Sequence, residues 1–66
     1  MRNSLKVERA IKNLTQEQLA KLVGVSRQSI NAIESGKYVP STVLSLKLSK
    51  VFEKSVDQIF QLGEND

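Results

Sequence analysis

Cysteine and histidine are both absent from this 66-residue chain. Without cysteine there is no disulfide, and no thiol to act as nucleophile or metal ligand. Without histidine, ordinary zinc sites and imidazole-based acid–base catalysis fall away as well. The carboxylates, serines and lysines that remain form no nucleophile–base constellation. A chain of this length also cannot enclose a substrate or effector pocket, so neither an enzyme nor a small-molecule sensor is expected, and no cofactor is implied. No apolar run is long enough for a membrane span or a signal-peptide core. The lack of cysteine fits a cytoplasmic protein. No linker, internal repeat or low-complexity stretch interrupts the sequence.

What is present suits one small domain spanning residues 1–66. Such a domain buries only about 60% of its unfolded surface and is marginal unless something supports it. With disulfides and metals excluded, association with a second copy is the remaining support. Ten Lys and Arg against seven Asp and Glu leave a net charge of +3, a modest bias compatible with phosphate binding.

The stretch from Thr15 to Pro40, TQEQLAKLVGVSRQSINAIESGKYVP, carries the strongest signal. Thr15 with Gln18 forms a capping box, and Leu19, Leu22 and Val23 recur at helical spacing. Gly24 can take the left-handed conformation that stops a helix. Val25 plugs the angle, and Ser26 caps a second helix that runs to about Glu34, with Gly36 as the next stop. Two helices joined by so short a turn, at about residues 15–35, must cross steeply, as in a DNA-binding helix-turn-helix.

On a wheel with Arg27 at zero, Ile30 and Ile33 fall near roughly 300° and 240° and mark the buried side. Gln28, Asn31 and Ala32 fall near roughly 100°, 40° and 140°, on the outer side with Arg27. Arg pairs bidentately with guanine, Asn and Gln with adenine, and a small apolar side chain meets the thymine methyl. Any soluble helix has a polar outer face, but this one lacks the Glu/Lys pairs of a merely solvated surface. The implied ligand is duplex DNA.

At these residues the chain resembles the phage-repressor (Cro/C1, also called XRE) family of helix-turn-helix regulators. Gln16, Ala20, Gly24, Val25, Ser26, Ile30, Ile33, Glu34, Gly36 and Pro40 carry the likeness, which extends through the final SVDQIF. The resemblance implies an all-α, five-helix bundle of the lambda-repressor-like type, with the second and third helices forming the motif. It implies base reading by Arg27, Gln28 and Asn31, with Ala32 at a position where relatives carry longer side chains. Gln16 would bind phosphate and brace the recognition helix. The loop with Lys37 and Tyr38 would lie against the DNA backbone, although Tyr38 could equally pack over its own loop. Arg9 would pair with Glu34.

The flanking segments are read as three more helices. Leu5 to about Asn13 forms the first, with Asn3 or Ser4 as its cap and Leu5 and Ile11 as core positions. The resemblance implies a larger apolar residue where this chain has Glu8, so this helix is expected to pack less completely. Ser41 caps the fourth, whose stripe is Leu44, Leu48, Val51 and Phe52. Lys47, Lys50 and Lys54 read as a solvated face. Ser55 caps the fifth, expected over about residues 55–62. Its Val56, Ile59, Phe60 and Leu62 exceed what so short a helix readily buries in its own domain, and part of this surface is expected to meet a second subunit. The alternative places Val56 and Ile59 in the core and Phe60 on the surface.

These readings describe a sequence-specific double-stranded DNA-binding transcriptional regulator, a repressor binding a palindromic operator as a homodimer. Ser26, with the amides at the helix starts, joins the phosphate-binding set of Gln16, Lys37 and Tyr38. The alternative is an antitoxin-like module whose main task is binding a partner protein.

Overall fold

Local hydrogen bonds from side chains to backbone start most of the helices. In the computed structural model, which describes all residues from Met1 to Asp66, the order is β1 (Arg2–Asn3), α1 (Leu5–Ile11), α2 (Gln16–Val23), α3 (Arg27–Glu34), α4 (Thr42–Phe52), α5 (Val56–Ile59) and β2 (Phe60–Gln61). Thr15 Oγ1 accepts from the Gln18 amide at 3.0 Å, while Gln18 Oε1 accepts from the Thr15 amide at 2.8 Å. Each bond satisfies an amide that the first helical turn would otherwise leave open. Ser41 Oγ starts α4 by accepting from the Leu44 amide at 3.1 Å. Gln58 Oε1 starts α5 by accepting from the Ser55 amide at 2.9 Å.

The core joins one face from every helix. Leu5, Leu19, Ile30, Ile33, Leu48 and Ile59 are almost completely excluded from water, with Ala20, Val23, Leu44, Phe52 and Phe60 closing around them. Burying a Leu or Ile side chain contributes roughly 1.5–3 kcal/mol. The fold is the five-helix all-α bundle that the sequence implies, with one small addition. β1 and β2 pair antiparallel, Arg2 opposite Gln61 and Asn3 opposite Phe60, and draw the two ends of the chain together.

Several packing expectations are corrected. Ile11 is 66% exposed: the buried arc of α1 is Leu5 and Glu8, and Ile11 falls roughly 90° from its centre on the helical wheel. Asn13 then turns the chain at φ 55°, a conformation asparagine tolerates better than most residues. Leu22 is 60% exposed and Ala20 takes its place inside. On the α2 wheel Leu19, Val23 and Ala20 share one arc, while Leu22 lies roughly 100° away from its centre. The small Ala20 sits on the side that meets the rest of the bundle.

Glu8 is buried rather than a gap in the packing. Lys54 Nζ donates to its Oε2 at 2.7 Å, so Lys54 ties α1 to the α4–α5 junction and is no bystander on a solvated face. At the start of α1 it is Asn3 Oδ1 that accepts from the Leu5 amide, at 3.1 Å, while the Ser4 hydroxyl is buried without a partner.

The largest correction concerns the C-terminal helix. α5 ends at Ile59, not near residue 62, and Phe60 is extended at φ −117°, ψ 133°. Strand pairing with β1 replaces the helical hydrogen bonds that further turns would have made. Ile59 and Phe60 consequently point into the chain's own core and are unavailable to a second subunit. Of the four residues expected there, Val56 is half-buried and only Leu62, 77% exposed, stands free.

Candidate nucleic-acid interface

The turn between α2 and α3 rests on Gly24, whose φ of 74° is left-handed and strained for residues with a Cβ. Ser26 Oγ then accepts from the Ser29 amide at 3.2 Å and starts α3. At the far end, Gly36 at φ 78° lets the Lys37 amide donate back to the Ala32 carbonyl at 2.9 Å and its own amide to the Ile33 carbonyl at 3.0 Å. The Tyr38 amide also donates to Ala32. These loop amides are therefore engaged in stopping α3 and do not point at a ligand. The groups this loop leaves free are thus the Lys37 and Tyr38 side chains.

With Ile30 and Ile33 anchored below, α3 turns Arg27, Gln28 and Asn31 outward. None of the three side chains spends a hydrogen bond inside the molecule, so their donors and acceptors are free. They border one shallow trough with the half-buried Ala32 and with Lys37. Lys37 and Tyr38 are exposed beside it, the tyrosine at 45%. A ridge of free amide and guanidinium groups, with a lysine at its flank, is what reading base edges requires.

The tilt of that ridge is set by Glu34. Arg9 Nε donates to Glu34 Oε2 at 2.7 Å and Arg9 Nη2 to Oε1 at 3.2 Å, a two-pronged contact. Gln16 Nε2 donates to the same Oε1 at 3.1 Å. Arg9 Nη1 reaches the Leu14 carbonyl at 2.9 Å, which binds the guanidinium to the turn before α2. One carboxylate at the end of α3 thus joins α1, α2 and α3. The Arg9 and Glu34 side chains are only 16% and 6% exposed. The hydrogen bond that Arg9 donates to Glu34 raises the Arg9 pKa above its ordinary value, against the opposing effect of burial.

Gln16 sits at the start of α2, half-buried, with one N–H of its amide given to Glu34 and a second left over. Ser26 shares a 3.0 Å contact with the Ser29 hydroxyl, leaving one hydroxyl proton of the pair for an outside acceptor. Gln16 lines a polar hollow together with Arg9, Thr15, Glu17 and Arg27.

Two contributors had no sequence signal. Asn3 Nδ2 donates to the Ile33 carbonyl at 2.9 Å, steadying the last turn of α3 from 30 positions away. Lys6 lines a second trough on the other flank of the ridge, beside Gln16, Asn31 and Glu34. Neither placement follows from spacing, because each depends on how α1 lies across α3.

Comparison with known proteins agrees with this geometry. A family model described as Helix-turn-helix matches residues 5–59. An HTH-type transcriptional regulator of Methanocaldococcus jannaschii is 57% identical over 60 residues, 91% of each chain. The HTH-type transcriptional regulator YgzD of Bacillus subtilis is 44% identical over 66 residues, the full length of both. Among solved structures, the restriction-modification controller protein C.AhdI from Aeromonas hydrophila superimposes with a TM-score of 0.76 at 34% identity, over 85% of each chain.

Proposed function

This chain belongs to the helix-turn-helix family of DNA-binding transcriptional regulators, non-enzymatic proteins of the Cro/C1 type, and from that premise we propose that it is a repressor acting as a homodimer on a palindromic operator. α3 enters the major groove. Arg27, Gln28 and Asn31 read base edges there, and Ala32 meets a thymine methyl. Gln16, Ser26, Lys37 and Tyr38 hold phosphates and set the register. Two copies spaced for one turn of B-DNA, about 34 Å, would cover a promoter and exclude polymerase. No helix is long and apolar enough to cross a membrane, and the proposed place of action is the cytoplasm, where promoter DNA is reached.

The observation that carries this reading is the free polar ridge of Arg27, Gln28 and Asn31 on a helix braced from below by Glu34. A base-reading helix needs that combination, since a ridge free to rock could not hold bidentate pairs in register. For the partner surface we assign Leu62, the member of the expected C-terminal patch that stands free, with the part of Val56 that its packing against the core leaves exposed.

Fluorescence anisotropy with the duplex upstream of its own gene and a scrambled copy, titrated across salt, tests the reading. Preference for the native duplex by about 10³-fold at moderate salt is expected of a specific regulator. Absence of binding at low salt would defeat it and favour a protein partner instead. Sedimentation of Leu62→Glu tests the dimer: the variant should be monomeric where the wild type is dimeric.

A further inference from the structure

The outward side of α3 is a ridge between two polar troughs, and Asn31 borders both. Lys37 walls the first trough and Lys6 the second. Lys37 comes from the loop after α3, Lys6 from the first turn of α1. Both lysines are exposed, and neither takes part in any of the ion pairs of the fold. The carboxylate in the Lys6 trough is Glu34, and both of its oxygens are already held by Arg9 and Gln16. The Lys6 ammonium is thus a cation beside the ridge with no protein anion to answer it.

Its position relative to α3 is also held. Asn3 Nδ2 donates to the Ile33 carbonyl at 2.9 Å while Asn3 Oδ1 accepts from the Leu5 amide at 3.1 Å. One side chain therefore fastens the start of α1, where Lys6 lies, to the last turn of α3. A lysine stem is flexible, but its root keeps register with the ridge.

We propose that Lys6 is a phosphate-binding residue, and that it grips the DNA strand opposite the one held by Lys37. The proposal rests on the duplex-binding reading above and adds to it a residue and a strand. A helix lying in the major groove, about 12 Å wide, has a sugar–phosphate backbone along each side. With a cation in the trough on each flank of the ridge, the two lysines face different backbones. Such contacts set position and carry no sequence information of their own.

The test uses the tightest duplex that the wild-type chain selects from a random-sequence pool. Binding of wild type, Lys6→Gln and Lys37→Gln is measured across a salt series. It is then repeated on duplexes that each carry one neutral methylphosphonate in place of a phosphate. Lys6→Gln should lower the magnitude of the salt slope by about 0.9 per bound protomer while leaving the ranking of base variants unchanged. Lys6→Arg should keep the wild-type slope. The methylphosphonate that weakens wild type but not Lys6→Gln should lie on one strand, and the corresponding position for Lys37→Gln on the other. An unchanged slope in Lys6→Gln, or both lysines mapping to one strand, would overturn the proposal. So would a melting temperature well below wild type, because it would assign Lys6 a structural role. A wild-type chain that selects no duplex defeats the parent reading, an outcome separate from a wild type that binds while Lys6→Gln matches it.

Discussion

The guanidinium of Arg9 and the carboxylate of Glu34 meet at 2.7 Å across 25 positions of sequence, at the point where the first three helices converge. The pair is nearly closed to water, so its value lies in what happens when half of it is lost. An intact buried pair roughly breaks even against its desolvation, whereas an orphaned charge does not.

Arg9→Ala should therefore cost about 3–5 kcal/mol in urea unfolding at neutral pH, a large share of the stability of so small a fold. It should also weaken sequence-specific DNA binding, since Glu34 then stops orienting α3 from α1. A loss below about 1 kcal/mol would mean that the pair behaves as a solvated surface contact.

Gln28 stands on the outer side of α3 with no internal hydrogen bond, so its removal should leave the fold alone. Gln28→Ala is expected to relax discrimination at one base pair by about 1–3 kcal/mol while barely changing binding to unrelated sequences. Anisotropy against a set of single-base operator variants measures this. A uniform loss on every sequence would contradict base reading.

The Glu8–Lys54 contact offers a test by ordering. Lys54→Ala leaves a buried carboxylate without its donor and should destabilise by about 1–3 kcal/mol, moderated because Lys54 itself is partly exposed. Adding Glu8→Leu in the same chain should recover that loss or exceed it, because an apolar side chain can join Leu5 and the core around it. Thermal melts of the single and double variants settle the order. A double variant less stable than Lys54→Ala would show that Glu8 does more than fill its site.

The Asp66 carboxylate accepts from the Gly63 amide at 2.6 Å and lies 3.0 Å from the Met1 ammonium. The amide hydrogen bond first, then the ammonium, holds its pKa below the usual 3.8. A carboxyl whose folded pKa is lowered contributes stability above its unfolded pKa and loses it as the pH falls through the folded one. Carbon-detected NMR titration should thus place the Asp66 midpoint below 3.8. Asp66→Asn should leave Gly63 shifts unresponsive over the same acid range. A midpoint at or above the ordinary value would mean that this turn is open in solution.

Much of the architecture was legible because caps are local. Thr15, Ser26 and Ser41 each bond an amide three residues on, and Gly24 and Gly36 take the left-handed turns that their positions suggest. The outward set of Arg27, Gln28 and Asn31 followed from the same cause, since Ile30 and Ile33 leave α3 one way to face. Local pattern is ambiguous where a short helix carries two apolar candidates for one buried place. In α2 hydrophobicity favoured Leu22, but the arc facing the bundle belongs to Ala20, whose small side chain lets the neighbouring helices close on it.

By itself the sequence determined the helix starts and stops, the helix-turn-helix and the polar ridge of α3, because each depends on contacts within a few residues. Only the tertiary structure decided that Phe60 leaves the helix to pair with Asn3, and that Ile59 and Phe60 fill the core instead of a partner surface. It also decided that Glu8 finds Lys54, and that Asn3 and Lys6 stand against α3. These outcomes join residues far apart in the chain. Their energies depend on which surfaces the folded helices bring together, and no local periodicity encodes that.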